Sequence, residues 1–146
     1  MADLVTQRNI GGYITGVTSV FPQSPAAGTV NGASIDRQAH GVPLSTTVHT
    51  AVGAITGAPT TTSVISTLQH SPDNSTWTNY LPDGVNTAVE PALTAASTEN
   101  EIDVDLSLAN RYLRIQTVVA FTGGTTPTAF VTGWLSLGGE AYQPAI

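Results

Sequence analysis

The stretch EIDVDLSLANRYLRIQTVVAFTGGTTPTAFVTGWLSLGG, residues 101–139, decides the fold class, because apolar and polar residues alternate along nearly all of it. Ile102, Val104, Leu106 and Leu108 fall on one side of an extended segment, with Asp103, Asp105 and Ser107 on the other. Leu113, Ile115, Thr117, Val119 and Phe121 repeat the period of two, opposed by Arg114 and Gln116. A helix would bring its apolar residues round every three or four positions, so this period predicts half-buried strands. Thr122-Gly123-Gly124-Thr125-Thr126-Pro127 then reads as the hairpin loop before a last strand over 128–137.

Working back toward the N-terminus, strands are expected over 44–55 and 63–70, with shorter ones over 76–81 and 85–93. Gly57-Ala58-Pro59, Ser71-Pro72-Asp73-Asn74-Ser75 and Pro82-Asp83-Gly84 supply the turns, since Pro presets φ and Asp or Asn side chains cap a bend. Seven or eight strands at short spacing, with no helical stretch, predict an all-β, single-domain antiparallel β-sandwich or jelly roll. Residues 1–32 are rich in Gly, Pro and small polar residues, with one candidate strand over 13–20. They read as an extended N-terminal arm, leaving residues 33–146 for the sandwich.

Composition narrows the function classes. A chain of 146 residues buries roughly 70% of its unfolded surface, so it needs no metal or disulfide to fold. It has no cysteine, which removes disulfides, thiolate zinc sites and cysteine nucleophiles. Its net charge is -6, and its basic residues are four arginines, Arg8, Arg37, Arg111 and Arg114, without a lysine. Nucleic acids and anionic membrane surfaces are held by Lys and Arg, so neither is an expected partner. No run approaches the roughly 20 apolar residues of a membrane helix, and the start of the chain lacks a signal peptide's basic and apolar segments. Only 10% of residues are charged, and a sparsely charged face loses little on burial against another protein.

Candidate sites are few. A serine hydrolase would be signalled by a G-x-S-x-G elbow, which the sequence lacks. His40, His49 and His70 stand at no metal-ligand spacing, and Asp103 with Asp105 falls short of the six to eight oxygens calcium takes. Pairing of those acids with Arg111 or Arg114 is an alternative to solvation. Ser71-Pro72-Asp73-Asn74-Ser75-Thr76-Trp77 resembles the Asp-box hairpin of sialidases, a fold device, with Trp77 packed over its turn. Phe130, Thr132, Trp134 and Ser136 share one face of their strand, and Val131, Gly133, Leu135 and Leu137 share the other. Bulk on both faces predicts two covers, leaving Trp134 either in the core or anchoring an interface.

The order of these pieces carries a resemblance. Asn31-Gly32-Ala33-Ser34-Ile35-Asp36-Arg37-Gln38, the strand ending Val52-Gly53-Ala54-Ile55-Thr56-Gly57, Leu68-Gln69-His70-Ser71 and Asp105-Leu106-Ser107 follow one another along the chain. Arg111-Tyr112-Leu113-Arg114, Val118-Val119-Ala120-Phe121-Thr122-Gly123-Gly124-Thr125 and Leu137-Gly138-Gly139 close the series. The set is similar to small virion proteins of tailed bacteriophages and prophages found among head genes. That resemblance implies a decoration or cement protein on the capsid exterior, made in the host cytoplasm, with the major capsid protein and its own copies as partners. A homotrimer would match three-fold lattice positions, and neither catalytic residues nor cofactors are implied. Arg8 and Arg37 are then expected as polar contacts, and Tyr13 and Trp134 as buried interface anchors. A tail or fibre component and a carbohydrate-binding adhesion module are the alternatives.

Overall fold

The long alternating runs of the sequence are strands in the computed structural model, which describes residues 10–140. They are β1 (Thr15–Gln23), β2 (Gly28–Asn31), β3 (Ile35–Asp36), β4 (Pro43–Thr56), β5 (Thr61–Ser71), β6 (Thr78–Asn79), β7 (Thr98–Asp105), β8 (Tyr112–Thr122) and β9 (Thr128–Glu140). Two short 3-10 turns, Ile10–Gly12 and Arg37–His40, are the other regular elements described.

Two antiparallel sheets pack face to face as a β-sandwich. The first runs β1-β9-β4-β7; the second runs β2-β8-β5-β6, with β3 also on β8. Alternation sorts every long strand. From the first sheet Val20, Val48, Val52, Val131, Leu135 and Leu137 point inward, and Val64, Leu68, Leu113, Ile115 and Val119 meet them from the second. Full burial of each such side chain is worth about 1.5–3 kcal/mol, so the pattern alone fixes which face is inside. Tyr80 plugs one side of the core and donates its hydroxyl to the Asp105 carbonyl at 2.6 Å.

The expected arm boundary at residue 32 does not hold. β1 and β2 are edge strands of the two sheets, and Val20 lies in the core. Ser19 ties the two layers: its hydroxyl donates to the Ala33 carbonyl and accepts the Ile115 N–H, both at 2.9 Å. The Gly and Pro residues that suggested an arm mark irregular edges instead. Register shifts flank Val20, and Pro22 sits on an outer strand, where a missing N–H is tolerated.

Smaller corrections follow the same logic. Leu108 is exposed beyond the end of β7, whereas Leu106 is buried. The strand expected over 76–81 shrinks to β6, and that over 85–93 to the bridges Val64↔Leu93 and Thr67↔Val89. The Asp73 turn forms as expected. Its carboxylate accepts the N–H groups of Thr76 and Ser75 at 2.7 and 2.9 Å, which draws its pKa down to about 2. Trp77 packs beside that turn, with the Arg114 guanidinium 4.4 Å from its ring centre.

Candidate interaction face

The outer face of the first sheet carries a row of side chains set by strand register. Thr18 stands opposite Trp134, Trp134 opposite His49, and His49 opposite Glu101, spanning β1, β9, β4 and β7. The next row comprises Ser136, Thr47 and Asp103. His49 and Trp134 stack, with ring centres 4.9 Å apart and planes 7° from parallel. That distance matches the spacing of neighbouring strands, so the rings stand upright across the gap between β4 and β9. Trp134 thus presents an edge to solvent, its ring flanked by His49 on one side and by Thr18's strand on the other.

Exposed apolar groups lie further along the same sheet. Phe21 is 59% exposed, and Phe130 lies across β4, where a Cβ on Gly53 would come within 3.0 Å of its ring. Tyr13 is 45% exposed beside Ile14, and the two help line a shallow cleft of about 400 Å³ with Ser45, Thr47, Ser136 and Gly138.

Polar contacts hold the imidazole in place. His49 Nε2 lies 3.0 Å from Ser136 Oγ, and Nδ1 lies 3.4 Å from Glu101 Oε2. Carboxylate, imidazole and hydroxyl in this order are the parts of a serine hydrolase relay. Ser136, however, sits mid-strand, where β1 and β4 pair with β9 from both sides. The neighbouring N–H groups are spent on those ladders, so they do not converge where an oxyanion would form. The arrangement serves to fix the stack. Its members are far apart in sequence, and only cross-strand register, which periodicity does not supply, brings them together.

The expected contact residues separate. Trp134 is on the outward face, outside the core cluster, and Tyr13 is on the surface near the same sheet. Arg8 lies outside the described residues. Arg37 is 5% exposed and faces inward. Its guanidinium donates to the carbonyls of Ala109 at 2.6 Å, Pro43 at 2.7 Å and Leu106 at 3.1 Å, stapling one end of the sandwich. With its donors committed inside the chain, Arg37 is a clamp, not the surface contact expected of it. The acids Asp103 and Asp105 do not pair with Arg111 or Arg114 either. Asp103 accepts the Thr47 hydroxyl at 2.9 Å, while Arg111 makes a two-point contact with Asp36 and Arg114 donates to Gln69. Among the described residues no group of three or more His, Asp or Glu side chains is placed to hold a metal ion, and no helix is long and apolar enough to cross a membrane.

No family model matches the chain, and the search of curated proteins returns no match.

Proposed function

We propose that the chain is a structural protein of a phage virion, a decoration or cement protein that binds the head exterior and bridges neighbouring capsid subunits. The observation that carries this reading is Trp134 standing on the non-core face of the first sheet, upright against His49, with Phe21, Phe130 and Tyr13 exposed elsewhere along the strands of that sheet or beside it. An apolar, aromatic centre with a hydroxyl and carboxylate rim is the anatomy of a protein contact surface. The order of motifs along the sequence supports the head as the place where that surface is used. Stable attachment would bury about 1,200–2,000 Å², drawn from one sandwich face and the exposed residues near Tyr13. Copies sharing a three-fold site would form a trimer. Binding and bridging, with no chemistry on a substrate, is the role assigned.

A sugar-binding role is less well supported, because pyranose stacking uses the open face of an aromatic ring and Trp134 offers an edge. The test is the melting temperature of empty phage heads with and without the purified protein. A rise on addition supports cementing, and an unchanged melting curve refutes it.

A further inference from the structure

Among the described residues, the sandwich has four lateral edges, and three are poor templates for another strand. β1 is broken by two register shifts and carries Pro22. β2 is four residues long. The free side of β5 is taken by β6 and by the bridges to Val89 and Leu93. β7 differs. It stays in step with β4 for eight residues, from Thr98 to Asp105, without a shift.

The phase of that ladder shows which peptide groups face outward. Leu106 N–H donates to the Leu44 carbonyl at 2.8 Å, which makes 44 and 106 a mutually bonded pair. Antiparallel pairs alternate, so Val104, Ile102, Asn100 and Thr98 also aim their peptide groups at β4. Asp105, Asp103, Glu101 and Glu99 aim theirs away, and the Asp105 carbonyl indeed accepts Tyr80 from that side. Glu99, Glu101 and Asp103 have no backbone partner among the described residues. The side chains of these same residues stand exposed on the outer face. Every peptide group free to pair therefore comes with a carboxylate.

Among the described residues no arginine neutralises that row. Arg37 is bound to carbonyls, Arg111 to Asp36 and Arg114 to Gln69 and the Trp77 ring. Two copies of β7 laid edge to edge would set like charges against one another. A strand bearing cations on the same face would find both its backbone and its side chains matched.

We propose that β7 is a docking edge for an extended segment of another protein that carries Arg or Lys at alternate positions and adds to the first sheet as a fifth strand. Backbone pairing supplies affinity in such additions, and the carboxylates of Glu99, Glu101 and Asp103 select the partner. This goes beyond the head-decoration reading and stands whether or not a capsid is the target.

The test uses the full chain and two synthetic decapeptides, one alternating Thr and Arg, the other alternating Thr and Glu. Amide exchange followed by NMR is expected to slow about tenfold at Glu99, Glu101 and Asp103 with the Arg peptide alone. Asp103→Pro removes an outward N–H but no ladder bond, so it should keep the fold and lose this protection. Replacing all three acids with Arg should switch the preference to the Glu peptide, which tests the charge rule even if the proline variant fails to fold. Equal protection by both peptides, protection elsewhere, or none overturns the proposal. Protection that grows with protein concentration in the absence of peptide would make a second copy the occupant and overturn it as well.

Discussion

His49 lies flat against Trp134, and each ring fixes the other upright between β4 and β9 on the side of the sheet away from the core. Such a pair contributes about 0.5–1.5 kcal/mol beyond its buried area. Trp134→Ala should therefore lower stability only modestly, by about 1–2 kcal/mol in a urea titration, with the sandwich intact. A loss as large as a core truncation, above about 3 kcal/mol, would mean the indole is a core element.

Arg37 should behave in the opposite way. Its removal orphans several buried carbonyls that now accept from one charged fork. Arg37→Met is expected to cost about 3 kcal/mol or more. Arg37→Lys should recover little, because an ammonium cannot span the same acceptors. Denaturation midpoints of the two variants check both points.

Glu90 gives a pH signature. It is buried, and neither its carboxylate oxygens nor the facing Thr50 hydroxyl makes a hydrogen bond of ordinary geometry. Burial pushes its pKa up to about 7 from an ordinary 4.5, with Thr50 near enough to oppose the shift slightly. The folded chain thus keeps a proton that the unfolded chain releases near pH 4.5. The resulting stability is whole below that pH and is lost as pH rises through about 7. Glu90→Gln should melt within a degree or two of the wild type in mild acid and be the more stable by on the order of 2 kcal/mol above neutrality. A melting-temperature difference that does not vary with pH would rule this out.

Ser19→Ala tests the place of β1 in the fold. It leaves the buried Ile115 N–H without its acceptor, at a cost of about 1–3 kcal/mol. Deleting residues 1–32 removes two edge strands together with Val20, so the remainder should show no cooperative melting transition. A truncated protein with wild-type melting would restore the idea of a dispensable arm.

Much of this fold is legible in the sequence, because burial on one face forces a period of two. The alternation of Val131, Gly133, Leu135 and Leu137 against Phe130, Thr132, Trp134 and Ser136 is the division between core and outer face. Periodicity reports a strand but not its neighbours, so the Trp134–His49–Glu101 row stayed hidden until register joined three strands. It also says nothing of which arginine turns inward. Arg37 follows an N-capping Asp36 in a short 3-10 turn, and that turn's position over the Pro43 and Leu106–Asn110 carbonyls sends the side chain inside. Gly and Pro misled at β1 because edge strands tolerate the same residues that loops use.

The most direct test of the proposed role is co-sedimentation of the purified protein with empty heads of the kind it is proposed to decorate, run in parallel with a folded Trp134→Ala variant. Wild-type protein is expected to pellet with the heads at a fixed ratio, and the variant to stay in the supernatant. Wild-type protein left in the supernatant, or a variant that pellets equally well, would contradict a contact face centred on Trp134.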